Sequence, residues 1–126
     1  MPINFGGYPF TSPVPLMSWK PPALAGVYVI LKPDAASNPQ PYRELYFGIT
    51  EDFAERGFPL SHHKSDAWCR EAGTQDKLFV AIHAMPNSTP EMRRAVESEL
   101  IEKYRPVCNS RVPQRPLQSF NLLNKR

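Results

Sequence analysis

The chain has 126 residues and a mass of 14.3 kDa, and 41% of its residues are hydrophobic and 11% aromatic, which predicts one globular domain with a modest core. Fifteen Lys and Arg against twelve Asp and Glu give a formal net charge of +3, too mixed for a disordered polyelectrolyte. No apolar run reaches the roughly 18 residues of a membrane span, no basic segment leads a signal-like apolar stretch, and two cysteines are too few for a disulfide framework, so the expected setting is cytoplasmic, without a membrane partner and with Cys69 and Cys108 reduced.

Proline is the compositional outlier, with 15 in the chain and six of them, Pro2 to Pro22, in the first stretch. Their missing N–H groups and fixed φ exclude a helix or central strand there and predict an extended arm over residues 1–23. The arm also carries Phe5, Tyr8, Phe10, Leu16, Met17 and Trp19. That much apolar surface needs covering, by the body of the chain or by a second copy in a homo-oligomer.

The β-branched and aromatic run Gly26-Val27-Tyr28-Val29-Ile30-Leu31, closed by Pro33, predicts a first strand. Residues 32–43 hold three prolines and little to bury, which predicts a long loop. Glu44 to Ile49 follows as a second strand, and Thr50 can cap a short helical segment from Glu51 to Arg56, ended by Gly57 and Pro59. A further helical piece is expected from Ser61 to Glu71, and a third strand from Lys77 to Met85.

The best-defined helix runs from Met92 to Tyr104, led by Ser88 and Glu91 at capping-box spacing and by Pro90 in its first turn. On a helical wheel Met92, Val96, Leu100, Tyr104 and Ile101 form one apolar arc, and Glu97 falls inside it. A carboxylate there pays for desolvation unless a cation or metal faces it, so Glu97 is either paired, with Arg93 one turn earlier, or functional. From Lys103 onward six basic residues, among them Arg111 and Arg115, meet no acid. The tail over residues 111–126 is thus a basic strip able to release counterions from a phosphate backbone, or an ordinary solvated tail.

Four motifs in order resemble the GIY-YIG nuclease superfamily. They are Gly26-Val27-Tyr28, then Tyr46-Phe47-Gly48, then Arg56 ten residues after Tyr46, then Glu97 through Asn109, which is similar to the family's ExxLIxxxxPxxN segment at every named position. The resemblance implies an α+β catalytic domain over residues 24–110, built on a small three-stranded antiparallel sheet flanked by helices. It implies an endonuclease that hydrolyses DNA phosphodiesters with low intrinsic sequence specificity. Glu97 would hold one Mg²⁺ or Mn²⁺, water completing the coordination of a hard cation. Arg56 would contact the scissile phosphate, and Tyr28 and Tyr46 would flank the attacking water, either one serving as base or proton relay. Gly26 and Gly48 would permit close backbone approach, and Asn109 would bond neighbouring backbone after the helix.

The chain departs from the family pattern after Arg56, where Leu60 stands in place of a His or Tyr and Gly57 and Pro59 interrupt the helix. His62 or His63 is the expected substitute, an imidazole that titrates near neutrality, with Lys64 beside it as a phosphate contact. For each residue a plainer reading exists: strand aromatics for Tyr28 and Tyr46, a surface charge for Arg56, an i, i+4 pair for Glu97 with Arg93. The rival at the level of the whole chain is a nucleic-acid-binding or protein-interaction module on the same scaffold without turnover.

Overall fold

A computed structural model describes residues 2–37, 41–55 and 65–109, and it is α+β. The described elements are β1 (Ile3–Phe5), β2 (Tyr8–Phe10), β3 (Val14–Pro15), a single 3-10 turn at Leu16–Ser18, β4 (Gly26–Pro33), β5 (Tyr42–Thr50), α1 (Ser65–Ala72), a second 3-10 turn at Gln75–Lys77, β6 (Phe79–Ala84) and α2 (Pro90–Tyr104). The main sheet is antiparallel with order β3-β6-β4-β5, and β1 pairs only with β2. The sheet therefore has four strands where three were expected. The added strand is a two-residue piece of the proline-rich segment, Val14 and Pro15, laid on the edge of β6 opposite Val80 and Phe79. An edge is where proline is tolerated in a sheet.

The N-terminal segment is extended and lies against its own chain. Gly6 and Gly7 have φ of 59° and 90° and turn the chain between β1 and β2, a two-residue hairpin loop whose positive φ values suit glycine. Phe5 and Phe10 are buried with Phe47 and Tyr104 in a cluster of edge-on rings, Phe5 lying 5.3 Å from Phe10, 5.7 Å from Phe47 and 5.5 Å from Tyr104. The Tyr104 hydroxyl accepts from the Gly6 N–H at 2.8 Å and the Tyr8 hydroxyl donates to Glu99 Oε1 at 2.8 Å. The hairpin is thus braced on α2.

Alternation along the central strands divides the core in two. Val27, Val29, Leu31, Phe47 and Ala81 face the layer made by α2 and the hairpin, while Tyr28, Ile30, Val80 and Ile82 face the layer containing Trp68 of α1, Leu16 and Phe53. β5 breaks its own alternation at Leu45: Tyr46 pairs with Ile30 and Glu44 with Leu31, leaving Leu45 as the extra residue of a bulge. The bulge brings Leu45 into the Tyr28 layer, which Tyr46 already joins opposite Ile30.

Several boundaries differ from expectation for local reasons. Residues 51–55 make a turn instead of a helix, because the Thr50 hydroxyl accepts from Asp52 N at 3.2 Å and closes the chain on itself. The loop after β4 is shorter than residues 32–43, since pairing continues to Pro33 opposite Tyr42. The N-cap of α2 is Thr89, whose hydroxyl accepts from Met92 N at 3.1 Å, so the capping frame lies one residue later than Ser88 and Glu91 suggest. Met92 is 52% exposed, its sulfur accepting from Thr89 N, whereas Arg93 is 5% exposed and lies within the buried face. Among the described residues no helix is long and apolar enough to cross a membrane. Arg56, His62, His63, Lys64, Arg111 and Arg115 lie outside the described residues, so their expected roles stand as sequence readings.

Candidate active site

Tyr28 and Tyr46 come together because they sit on adjacent antiparallel strands, where Tyr46 pairs with Ile30 and so shares the face of Tyr28 two residues away. Their ring centroids are 6.1 Å apart with planes inclined at 38°. Tyr28 is 1% exposed and Tyr46 half-buried. The two hydroxyls share a hydrogen bond, which raises the pKa of Tyr28 and lowers that of Tyr46.

Glycine makes the arrangement possible. Gly48 is the cross-strand partner of Tyr28, and a Cβ built on it would run into Cζ and the hydroxyl of the Tyr28 ring. At Gly26 a Cβ would meet the His83 carbonyl oxygen, with Ala84 Cα at 3.1 Å and Phe53 Cζ at 3.0 Å, so here the obstacle is mainly the backbone of β6. Both glycines allow close approach, one to a phenol and the other to a strand.

Glu97 stands on α2, whose Val96 and Leu100 pack on the face of the sheet opposite the tyrosines, and its carboxylate acts electrostatically on both phenols. Burial first, and then the neighbouring Tyr46 and Glu97, push the Tyr28 phenol far above its ordinary 10.0. Tyr46 is pushed up to about 12, by burial and then by Glu97, against the hydrogen bond with Tyr28. Desolvation holds the Glu97 carboxyl above its ordinary 4.5, with Arg94 pulling the other way. Both phenols are therefore protonated at neutral pH.

Arg93 is not the partner of Glu97. Its Nη1 donates to the Ser88 carbonyl at 2.7 Å and to the Ser88 hydroxyl at 2.9 Å, tying the first turn of α2 to the preceding loop, and its buried Nε finds no acceptor among the described residues. The cation that acts on Glu97 is Arg94, at i−3 on the same flank, a spacing visible in the sequence but overshadowed there by Arg93.

The segment after α2 fixes the helix to β5. Arg105 takes a left-handed conformation (φ 48°) and donates its N–H to the Ile101 carbonyl at 2.8 Å, and Pro106 prevents the helix from continuing. Cys108 N then donates to the carbonyl of the bulged Leu45 at 2.9 Å. Asn109 Oδ1 accepts from Phe47 N at 2.8 Å while its Nδ2 donates to Phe47 O at 2.9 Å, so one side chain satisfies the outer edge of β5 between Tyr46 and Gly48. Asn109 was expected to bond neighbouring backbone after the helix; the backbone it bonds is instead that of Phe47, far away in sequence. A cavity of about 480 Å³ lies along the outer flank of α2, lined by Ser98, Ile101, Glu102, Arg105, Pro106 and Asn109, and does not include the tyrosines or Glu97.

Glu97 is a half-buried carboxylate whose charged form is penalised by desolvation and favoured by Arg94, and a hard divalent cation at its oxygens would act in the same sense as Arg94. Among the described residues no three His, Cys, Asp or Glu side chains gather, so an ion here would rest on one carboxylate and water. Comparison with family models, with curated proteins and with solved structures finds no match.

Proposed function

We propose that the chain is a GIY-YIG-type endonuclease that hydrolyses DNA phosphodiesters with one Mg²⁺ or Mn²⁺ at Glu97. The observation that supports this reading is a pair of neighbouring phenols that feel the charge of a desolvated carboxylate, the three groups coming from three different elements, beside a glycine that a side chain would close. The bound cation would polarise the phosphoryl oxygen and lower the pKa of a bound water.

The protein's own groups divide the remaining work. Tyr46 is the better proton relay: it is the less buried phenol, and its proton is the easier of the two to remove. Tyr28 orients it through the hydrogen bond they share. Positive charge at Glu97 would cancel the carboxylate's influence on both phenols and bring Tyr46 closer to a working pKa. Arg56 supplies the charge for the transition state, His62 or His63 a further proton relay, and Lys64, Arg111 and Arg115 phosphate contacts, each on the strength of the sequence motif and composition.

Plasmid nicking with Mg²⁺ or Mn²⁺ tests the reading. The wild-type chain is expected to convert supercoiled to nicked circles, and Glu97→Ala and Arg56→Ala to retain DNA binding without cutting. A wild-type chain that binds DNA and never cuts it with either metal would leave the scaffold as a binding module.

A further inference from the structure

We propose that Trp68 is a positioning residue for Tyr46: its buried indole backs the Tyr46 ring and sets where the phenolic oxygen lies relative to Tyr28 and Glu97. This rests on the reading of the phenols given above.

Trp68 is 0% exposed and its ring centroid lies 5.4 Å from that of Tyr46, with the planes inclined at 46°. The Tyr28 ring lies 6.1 Å from that of Tyr46, so α1, β5 and β4 each contribute one ring to the group around Tyr46. Pairing with Ile30 puts the Tyr46 side chain on the Tyr28 face of the sheet, and contact with a rigid, fully buried indole in tilted-ring geometry restricts where on that face the ring lies. It also excludes water from one face of Tyr46, in keeping with burial as the main cause of that phenol's raised pKa. A role limited to filling the core would be met by any large apolar side chain.

The test uses the full chain carrying Trp68→Phe or Trp68→Leu, each first checked by circular dichroism. Phenol ionisation is read by ultraviolet absorbance after a rapid pH jump, before alkaline unfolding, with Tyr46→Phe as the subtraction that identifies the Tyr46 signal. The Tyr46 transition is expected to fall in both variants from about 12 toward the ordinary 10.0, further in Trp68→Leu. In the nicking assay kcat is expected to drop about tenfold or more with KM for DNA unchanged, and the alkaline limb of the pH profile to move with the phenol. Native-like variants with an unmoved Tyr46 transition would overturn the proposal. If Trp68→Leu does not fold, Trp68→Phe decides. The titration needs no turnover, so a wild-type chain that fails to cut DNA would sink the nuclease reading while the Tyr46 shift still judges Trp68.

Discussion

The Tyr28 ring occupies the space that a side chain on Gly48, its cross-strand partner, would need. Gly48→Ala must therefore push a buried, rigid phenol aside. The expected cost in stability is about 1–3 kcal/mol by chemical denaturation, with a much larger loss of nicking, about a hundredfold, because the displaced group is a candidate reacting one. Gly26→Ala should show the opposite balance. Its Cβ meets β6 backbone, so stability is expected to fall by more than in Gly48→Ala as the β4–β6 pairing opens.

Tyr46→Phe and Tyr28→Phe separate relay from orientation. Tyr46→Phe is expected to lower kcat for nicking by about 10²-fold or more. Tyr28→Phe keeps the ring over Gly48 and removes only the shared hydrogen bond, so a smaller loss is expected. Equal losses would assign the relay to both phenols.

Burial raises the folded-state pKa of Glu97 above its unfolded value near 4.5. A carboxyl raised in this way binds its proton more tightly in the folded state. Its stabilising contribution is complete below the unfolded pKa and is lost as pH rises through the folded value, so at neutral pH the buried charge is a cost. Glu97→Gln is accordingly expected to raise Tm slightly at pH 7, by less than about 1 kcal/mol in stability because solvent still screens the half-buried group, with no gain below about pH 4. Mg²⁺ should stabilise the wild type and leave Glu97→Gln unmoved, which differential scanning calorimetry reads directly.

Asn109 presents an acceptor and a donor to the two backbone groups of Phe47. Asn109→Asp keeps the shape but sets a second oxygen against the Phe47 carbonyl. A loss of about 1–3 kcal/mol is expected, with faster amide exchange at Phe47 than elsewhere in β5.

The sequence made the strands around Tyr28 and Tyr46 legible, and also α2 with an acid inside its apolar arc, because these follow from local composition and period. The bulge was not legible. It is held by Cys108 N on the Leu45 carbonyl, a contact between distant parts of the chain that no local pattern reports. The wheel position of Arg93 marks it for burial, yet its charge made it look like a partner for Glu97, while Ser88 takes its guanidinium instead. Met92 shares the apolar arc but stands at the exposed first turn, where its sulfur serves the cap. The N-terminal prolines announced an extended path and said nothing of which surface would cover Phe5 and Phe10. That surface is the joint between α2 and β5.

The most direct measurement of the central claim is anomalous diffraction from crystals of the full chain soaked in Mn²⁺. A peak bonded to the Glu97 carboxylate on the side of Tyr46, absent from Glu97→Ala crystals, is the predicted result. An ordered Glu97 with no manganese at its oxygens would contradict it.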